Sequence, residues 1–340
     1  MAEHFSDIGR EEAIDRLYGI SAYHRGDTPV FSASEKGSAV TQASRLYVEG
    51  IDFNLVYFPC RHLGYKAVIG VTGELYAAMA RPKTLTVVLG ISAKLDFSEV
   101  SDVWTGITVA AKEHGFASVV LDLQPSPNGL YICLSALGET SLLTGKRRPS
   151  PRSKDLLCVS GPLGAAYLGM QILEKGRESF EKTGVQPELG KYRMIVGDYL
   201  RPELDASLVE RLEKEEIYPS AATFVTRGLA DSVKRIALST GLGAKVYAQH
   251  IPFEGNSFQA GKELDIDPVS AAFNGGDDFC LLLAIPILQQ EKFHREFPTF
   301  DIVGHLALPE AGTTLVTPDG VELPLRAQGW KEDNLTNIQQ

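Results

Sequence analysis

Chemistry in this chain is most visible as carboxylates at glycine turns. The stretch Gly275-Gly276-Asp277-Asp278 stands just before the apolar run Cys280–Ile285. Adjacent carboxylates repel each other and gain most from a cation or hydrogen-bond donors nearby, which is what a cation-binding cleft offers. A solvated hairpin accounts for the same residues equally well. Asp122 follows the apolar run Ser118-Val119-Val120-Leu121. It is expected at the end of a buried strand facing a cleft, where α/β proteins usually carry polar chemistry.

Other chemistries are less well supplied. Gly161-Pro162-Leu163-Gly164, between a strand and a helix, could present backbone amides to an anion, although a tight strand-to-helix turn is the simpler reading. Gly138 to Lys146 is no phosphate loop: six residues separate its outer glycines Gly138 and Gly145, and Arg147 stands where a Ser or Thr would meet Mg²⁺. The seven histidines show no metal-ligand spacing, and no Gly-x-Ser-x-Gly elbow marks a nucleophile.

Elements of strand and helix length surround these residues. Ser98 to Gly115 reads as a helix with Val100, Val103, Trp104, Ile107 and Ala111 on one face, Ser98 as its cap and Gly115 as its stop. Strands are expected at Leu85–Ile91, Ser118–Asp122, Leu130–Leu137, Leu156–Ser160, Lys245–Tyr247, Cys280–Ile285 and Asp301–Ala307. Helices are expected at Ala165–Lys175, near Asp205–Glu216 and over Leu229–Thr240.

At 340 residues the chain exceeds what one hydrophobic core usually serves. The basic, proline-containing stretch Gly145–Lys154 divides it into expected domains 1–148 and 149–330, followed by a loose polar tail, 331–340. Its basic run, Lys146-Arg147-Arg148, reads as a solvated linker. A net charge of -10 argues against a nucleic-acid partner, since such binding leans on clustered Lys and Arg. No apolar run approaches the ~20 residues of a membrane span, and the first residues lack a signal-peptide pattern. Four separated cysteines, with no Cys-x-x-Cys, read as buried reduced thiols of a cytoplasmic protein.

Taken in order, several stretches resemble thiamine-monophosphate kinase, of the superfamily that includes aminoimidazole ribonucleotide synthase. They are Gly26-Asp27, Val48-Glu49-Gly50-Ile51-Asp52-Phe53, His62-Leu63-Gly64-Tyr65-Lys66-Ala67, Cys158 to Tyr167, Leu200-Arg201-Pro202, Gly228-Leu229-Ala230, Asn274 to Phe279 and Gln328-Gly329-Trp330. The resemblance implies a two-domain α/β fold of the α+β type, with an N-terminal sheet domain that dimerises and a C-terminal α/β domain. It also implies ATP in a groove beside several Mg²⁺ ions, and phosphoryl transfer to thiamine phosphate by positioning and charge neutralisation. Carried over position by position, the nucleotide and metal side comprises Asp27, Ser44, Glu74, Asp122, Arg148 and Thr226. The acceptor side comprises Asp52, where the family has a histidine, with Asp277, Asp278 and Trp330.

The chain departs from the pattern mainly at acids. Thr28 replaces one of a pair, Arg45 replaces another, and Gly73-Glu74 stands for Ser-Asp. Val120-Leu121-Asp122 replaces Gly-Gly-Asp, so bulky residues stand where glycine lets backbone approach phosphate. Phe224-Val225-Thr226-Arg227-Gly228-Leu229 replaces Asp-x-Ser-Asp-Gly-Leu. Mg²⁺ requires near-octahedral oxygen ligands, and a guanidinium at ~4 Å in an effective dielectric near 20 opposes it by roughly 4 kcal/mol per unit charge.

These replacements point to a catalytically degenerate homologue with no assigned cofactor, acting as a homodimer, a heterodimer with a paralogue or part of a larger assembly. The alternative is an active ATP- and Mg²⁺-dependent kinase with a reduced metal set around Asp27, Glu74 and Asp122. Arg45 and Arg227 could also bind phosphate directly.

Overall fold

The computed structural model describes residues 8, 10–24 and 38–330. The chain divides into two compact units: Met1–Arg148 with Gly169–Tyr218, and Pro149–Leu168 with Pro219–Gln340. Unit 1 is discontinuous in sequence, with residues 169–218 grouping with residues 1–148.

Unit 1 holds a four-stranded sheet in the order β1-β4-β2-β3, from β1 (Ala39–Val48), β2 (Arg81–Ser92), β3 (Ser118–Ser126) and β4 (Leu130–Thr140). Strands β2 and β3 are parallel, joined through helix α3 (Phe97–Glu113), and the other pairs are antiparallel. Helices α1 (Arg10–Gly19) and α2 (Cys60–Ala77) precede β2, and α4 (Leu142–Arg147) follows β4. The N-cap of α3 is Asp96, not Ser98, and the Glu99 carboxylate accepts a hydrogen bond from Asp96 N at 2.8 Å.

Of the elements that the sequence patterns do not give, two have a plain physical reason. Helix α2 buries 13 of its 18 residues, so it lacks the polar face that makes a helix readable. Strand β1 points Ala43, Arg45 and Tyr47 toward its more buried side, and the cation interrupts the apolar alternation.

The crossing of α2 with α3 depends on two glycines. A Cβ on Gly64 would lie 2.0 Å from the Val103 carbonyl oxygen, and one on Gly106 would lie 2.0 Å from that of Arg61. The free edge of β3 is closed by Tyr18, whose hydroxyl donates to Val119 O and accepts from Leu121 N. Trp104 donates its indole N–H to Leu17 O, fixing α1 to α3.

Segment 169–218 is anchored to unit 1 by polar contacts. It contains most of α5 (Ala165–Thr183), α6 (Arg193–Leu200) and α7 (Leu208–Lys214). Lys66, 2% exposed, donates to Tyr199 O at 2.8 Å and stands 3.7 Å from that ring's centroid. The Tyr57 hydroxyl donates to Glu174 at 2.8 Å. Tyr76 bridges α2 to this segment, with its hydroxyl 2.9 Å from His114 Nδ1 and 3.3 Å from Ala206 O.

Unit 2 is built on a seven-stranded sheet in the order β11-β10-β7-β9-β5-β8-β6. Its strands are β5 (Leu156–Val159), β6 (Ala221–Val225), β7 (Gly243–Tyr247), β8 (Cys280–Ile285), β9 (Asp301–Ala307), β10 (Thr313–Val316) and β11 (Glu322–Pro324). Helix α8 (Leu229–Thr240) packs on β6 and β7, and α10 (Pro268–Asn274) packs on α8. Helices α9 (Ser257–Leu264) and α11 (Gln290–Glu296) complete the unit. Its core gathers Leu157, Val159, Val225, Leu229, Val246 and Leu282.

Among the described residues no helix is long and apolar enough to cross a membrane. All four cysteines are free, but only Cys158 and Cys280 are buried; Cys60 and Cys133 are half-buried, contrary to the sequence expectation.

Two measurements test this packing. Gly106→Ala should destabilise the protein by about 2–3 kcal/mol in urea unfolding, because the clash is with backbone. Gly145→Ala, at a helical position with open space, should be neutral or stabilising by up to about 1 kcal/mol; equal effects would contradict the crossing.

Burial lowers the His114 pKa, opposed by Glu113 and Asp205, so the folded state favours the neutral ring. The unfolded ring takes its proton near pH 6.5, so this stabilisation is complete above that value and is lost as pH falls below it. His114→Gln should therefore lose less stability than the parent between about pH 7.5 and 5; an equal loss would remove His114 as the cause.

Candidate functional site

Several expected site residues meet in unit 2, around the start of α8. Gly276 and Asp277 take positive φ values of 85° and 62°, and Phe279 follows at 48°. Two non-glycine residues in left-handed backbone within three positions is a costly arrangement that its surroundings must hold. Backbone hydrogen bonds do so: Asp277 N donates to Thr226 O at 3.0 Å, and Phe279 N donates to Val225 O at 2.9 Å. The acid turn is thus tied to the loop carrying Thr226 and Arg227. Gly228 completes that loop at φ 88°, where a Cβ would lie 2.3 Å from Phe273 O.

The two acids of the turn differ. Asp278 directs Oδ1 at Gly164 N, 2.9 Å away, just before the first residue of α5. Its carboxylate therefore occupies the helix start at Gly161-Pro162-Leu163-Gly164 in place of an external anion. Asp277 remains half-buried on the turn itself. Arg227 is exposed, whereas Phe224 is fully buried and stacks on Phe279 with ring centroids 5.5 Å apart and planes 11° apart.

Trp330 closes the constellation. Its Nε1–H donates to Asp231 Oδ1 at 2.9 Å, and Lys234 Nζ stands 5.5 Å from its ring centroid. Gln328 N donates to Asn274 Oδ1 at 3.3 Å, immediately before the acid turn. Asp231 and Lys234 were not anticipated from sequence. The only available signal was their place in the first turns of the helix after Gly228.

In unit 1 the expected residues are dispersed. The rows Ser44–Ser135–Thr86–Val120 and Leu46–Cys133–Val88–Asp122 run across all four strands. Ser44 and Asp122 therefore share the sheet face opposite to Arg45, with about 14 Å of inter-strand spacing between their strands. Ser44 Oγ is 2.7 Å from Ser135 Oγ. Asp122 lies within β3 rather than at its end, and its oxygens accept from Leu123 N and Gln124 Nε2, each at 2.9 Å.

Arg45 lies on the α2 side, its guanidinium 5.0 Å from the Tyr47 ring centroid. A Cβ on Gly70 would fall 3.4 Å from its Cδ. Glu74 is one turn further along α2. Asp52 is a turn anchor, with Oδ2 accepting from Val48 N at 2.8 Å. Arg148 ends α4, and burial pushes its pKa down; it is not part of a freely solvated linker. Asp27, Thr28 and the tail 331–340 lie outside the described residues.

The donor set can be tested against the Mg²⁺ ions that the resemblance implies. In unit 2 the relevant loop supplies a buried phenyl ring, a threonine and an exposed guanidinium. In unit 1, Glu74 and Asp122 belong to opposite sides of the sheet. The described residues do not fit a multi-metal cluster, which needs several carboxylates converging within about 2.1 Å of each ion. Nor do Cys60 and Cys158 supply a thiolate nucleophile at neutral pH. Burial pushes Cys60 up to about 11 and Cys158 up to about 12.

Residues 26–140 match the family described as AIR synthase related protein, N-terminal domain. A thiamine-monophosphate kinase from Prochlorococcus marinus is 25% identical over 310 residues, covering 88% of this chain and 89% of that protein. The crystal structure of thiamine-monophosphate kinase from Stenotrophomonas maltophilia superposes with a TM-score of 0.72 at 21% identity, over 90% of this chain and 95% of that one. The hydrogenase maturation protein HypE of E. coli also shares the fold, with a TM-score of 0.67, 17% identity and coverage of 95% and 98%.

Residues 26–140 are similar to the AIR synthase related N-terminal domain. Along nearly its whole length the chain is thiamine-monophosphate kinase-like.

The capping role of Asp278 is directly testable. Asp278→Ala should lower stability by about 1 kcal/mol, with most of the loss restored in Asp278→Asn, which keeps an acceptor. A neutral alanine variant in urea unfolding would contradict the cap.

Proposed function

We propose that this cytoplasmic protein is a catalytically degenerate member of the thiamine-monophosphate kinase-like group that acts by binding rather than by phosphoryl transfer. The observation that carries this reading is the Phe224–Phe279 stack. An expected metal-ligand position is filled by a core side chain, packed against the acid turn itself. Restoring an acid at 224 would bury a carboxylate among apolar residues, so the change to phenylalanine is built into the packing. Arg227 adds an exposed cation three residues later, where a second acid is expected.

The same reading makes the protein a dimer, with itself or with a paralogue. Support comes from the face of the unit 1 sheet that carries Leu46, Val88, Tyr131 and Leu137. Leu46 is 54% exposed and the other three are half-buried. Apolar side chains on a sheet face gain most when a second surface removes them from water.

Purified protein with ATP, Mg²⁺ and thiamine phosphate should form no thiamine diphosphate above background. Robust turnover that Asp122→Ala abolishes would instead establish an active kinase with a reduced metal set around Asp27, Glu74 and Asp122.

A further inference from the structure

We infer that Asp231 is the positioning residue of Trp330, fixing the indole beside the acid turn of unit 2. Its functional consequence rests on the acceptor-side reading of Trp330; the positioning itself does not.

Asp231 is 5% exposed and lies in the first turn of α8. A carboxylate so buried requires a specific partner, and Trp330 supplies one through its single N–H donor at 2.9 Å. Oδ2 is also buried and has no hydrogen-bond partner among the described residues. The first turn of a helix favours negative charge, and α8 has no side-chain cap at Gly228, so the carboxylate is well placed electrostatically. A charge-assisted bond of this kind fixes an indole more firmly than packing alone, since it selects one edge of the ring.

The chain leading to Trp330 is held at two further points. Leu325 is buried in the unit 2 core, and Gln328 N bonds Asn274. The last two attachments join the ends of the constellation, because Asn274 directly precedes the acid turn and Asp231 stands three residues after the Thr226–Gly228 loop. With its N–H bound to Asp231 and Lys234 near the ring, Trp330 is presented as a face rather than as a hydrogen-bond donor. Releasing Asp231 would free the indole to rotate away from the turn without disturbing Phe224, Phe279 or the Asp278 cap.

The chain contains two tryptophans, and Trp104 is fully buried, so acrylamide quenching of the full chain reports chiefly on Trp330. Trp330→Phe identifies its share of the signal. Asp231→Ala should raise quenching of the Trp330 component by about twofold or more as the indole enters water, with Asp231→Asn close to the parent. In the parent itself, the Trp330 indole N–H should exchange with D₂O about tenfold or more slowly than a free indole. That readout stands even where the alanine variant does not fold.

Unchanged quenching in a folded Asp231→Ala protein, or free-indole exchange in the parent, would overturn the assignment. Titration with thiamine phosphate separates the two readings. Weakening by about tenfold in Asp231→Ala, restored in Asp231→Asn, ties the positioning to ligand binding. Absence of binding in the parent refutes the acceptor-side reading and leaves the quenching result to judge Asp231.

Discussion

Left-handed backbone at Gly276, Asp277 and Phe279 is the constraint on which unit 2 depends. Only glycine takes such a conformation without cost, so the two non-glycine residues need compensation. It comes from both sides of the sheet edge. Main-chain bonds to Val225 and Thr226 tie the turn to β6. The Asp278 carboxylate ties it to the start of α5. Because these attachments share one short loop, the start of α5, β6, α8 and β8 are set by a common geometry. Phe279 then has a fixed direction, and Phe224 packs on it.

In the proposed reading, that arrangement explains how acids could be replaced without loss of the fold. A carboxylate at a metal site contributes to function but little to packing, whereas a phenyl ring at position 224 buries apolar surface against Phe279. Arg227, on the exposed side of the same loop, is accommodated by water. In unit 1 the corresponding change is Arg45, whose guanidinium lies by the Tyr47 ring on the α2 side rather than beside Asp122. Phe224 and Arg45 are thus each used locally, in a ring stack and a cation–π contact.

Much of the fold was legible because its strongest signals are local. The apolar runs at β8 and β9 and the amphipathic pattern of α8 coincide with their observed bounds. Helix α2 was not legible, since burial on nearly every side removes its period. The return of residues 169–218 to unit 1 was hidden as well. It depends on a buried lysine meeting a carbonyl 133 residues away and on a tyrosine reaching Ala206, pairings with no sequence pattern. At the site, the acid turn and Trp330 stood out through composition and resemblance. The division of labour between Asp277 and Asp278, and the partnership of Asp231 with Trp330, depend on three-dimensional approach alone.

The proposed reading makes any nucleotide binding by this chain independent of Mg²⁺. Calorimetric titration of the full chain with ATP, in the presence and absence of Mg²⁺, tests it most directly. The account predicts either no binding or binding of equal affinity under both conditions. ATP binding that appears only with Mg²⁺, and disappears in Asp122→Ala, would contradict it.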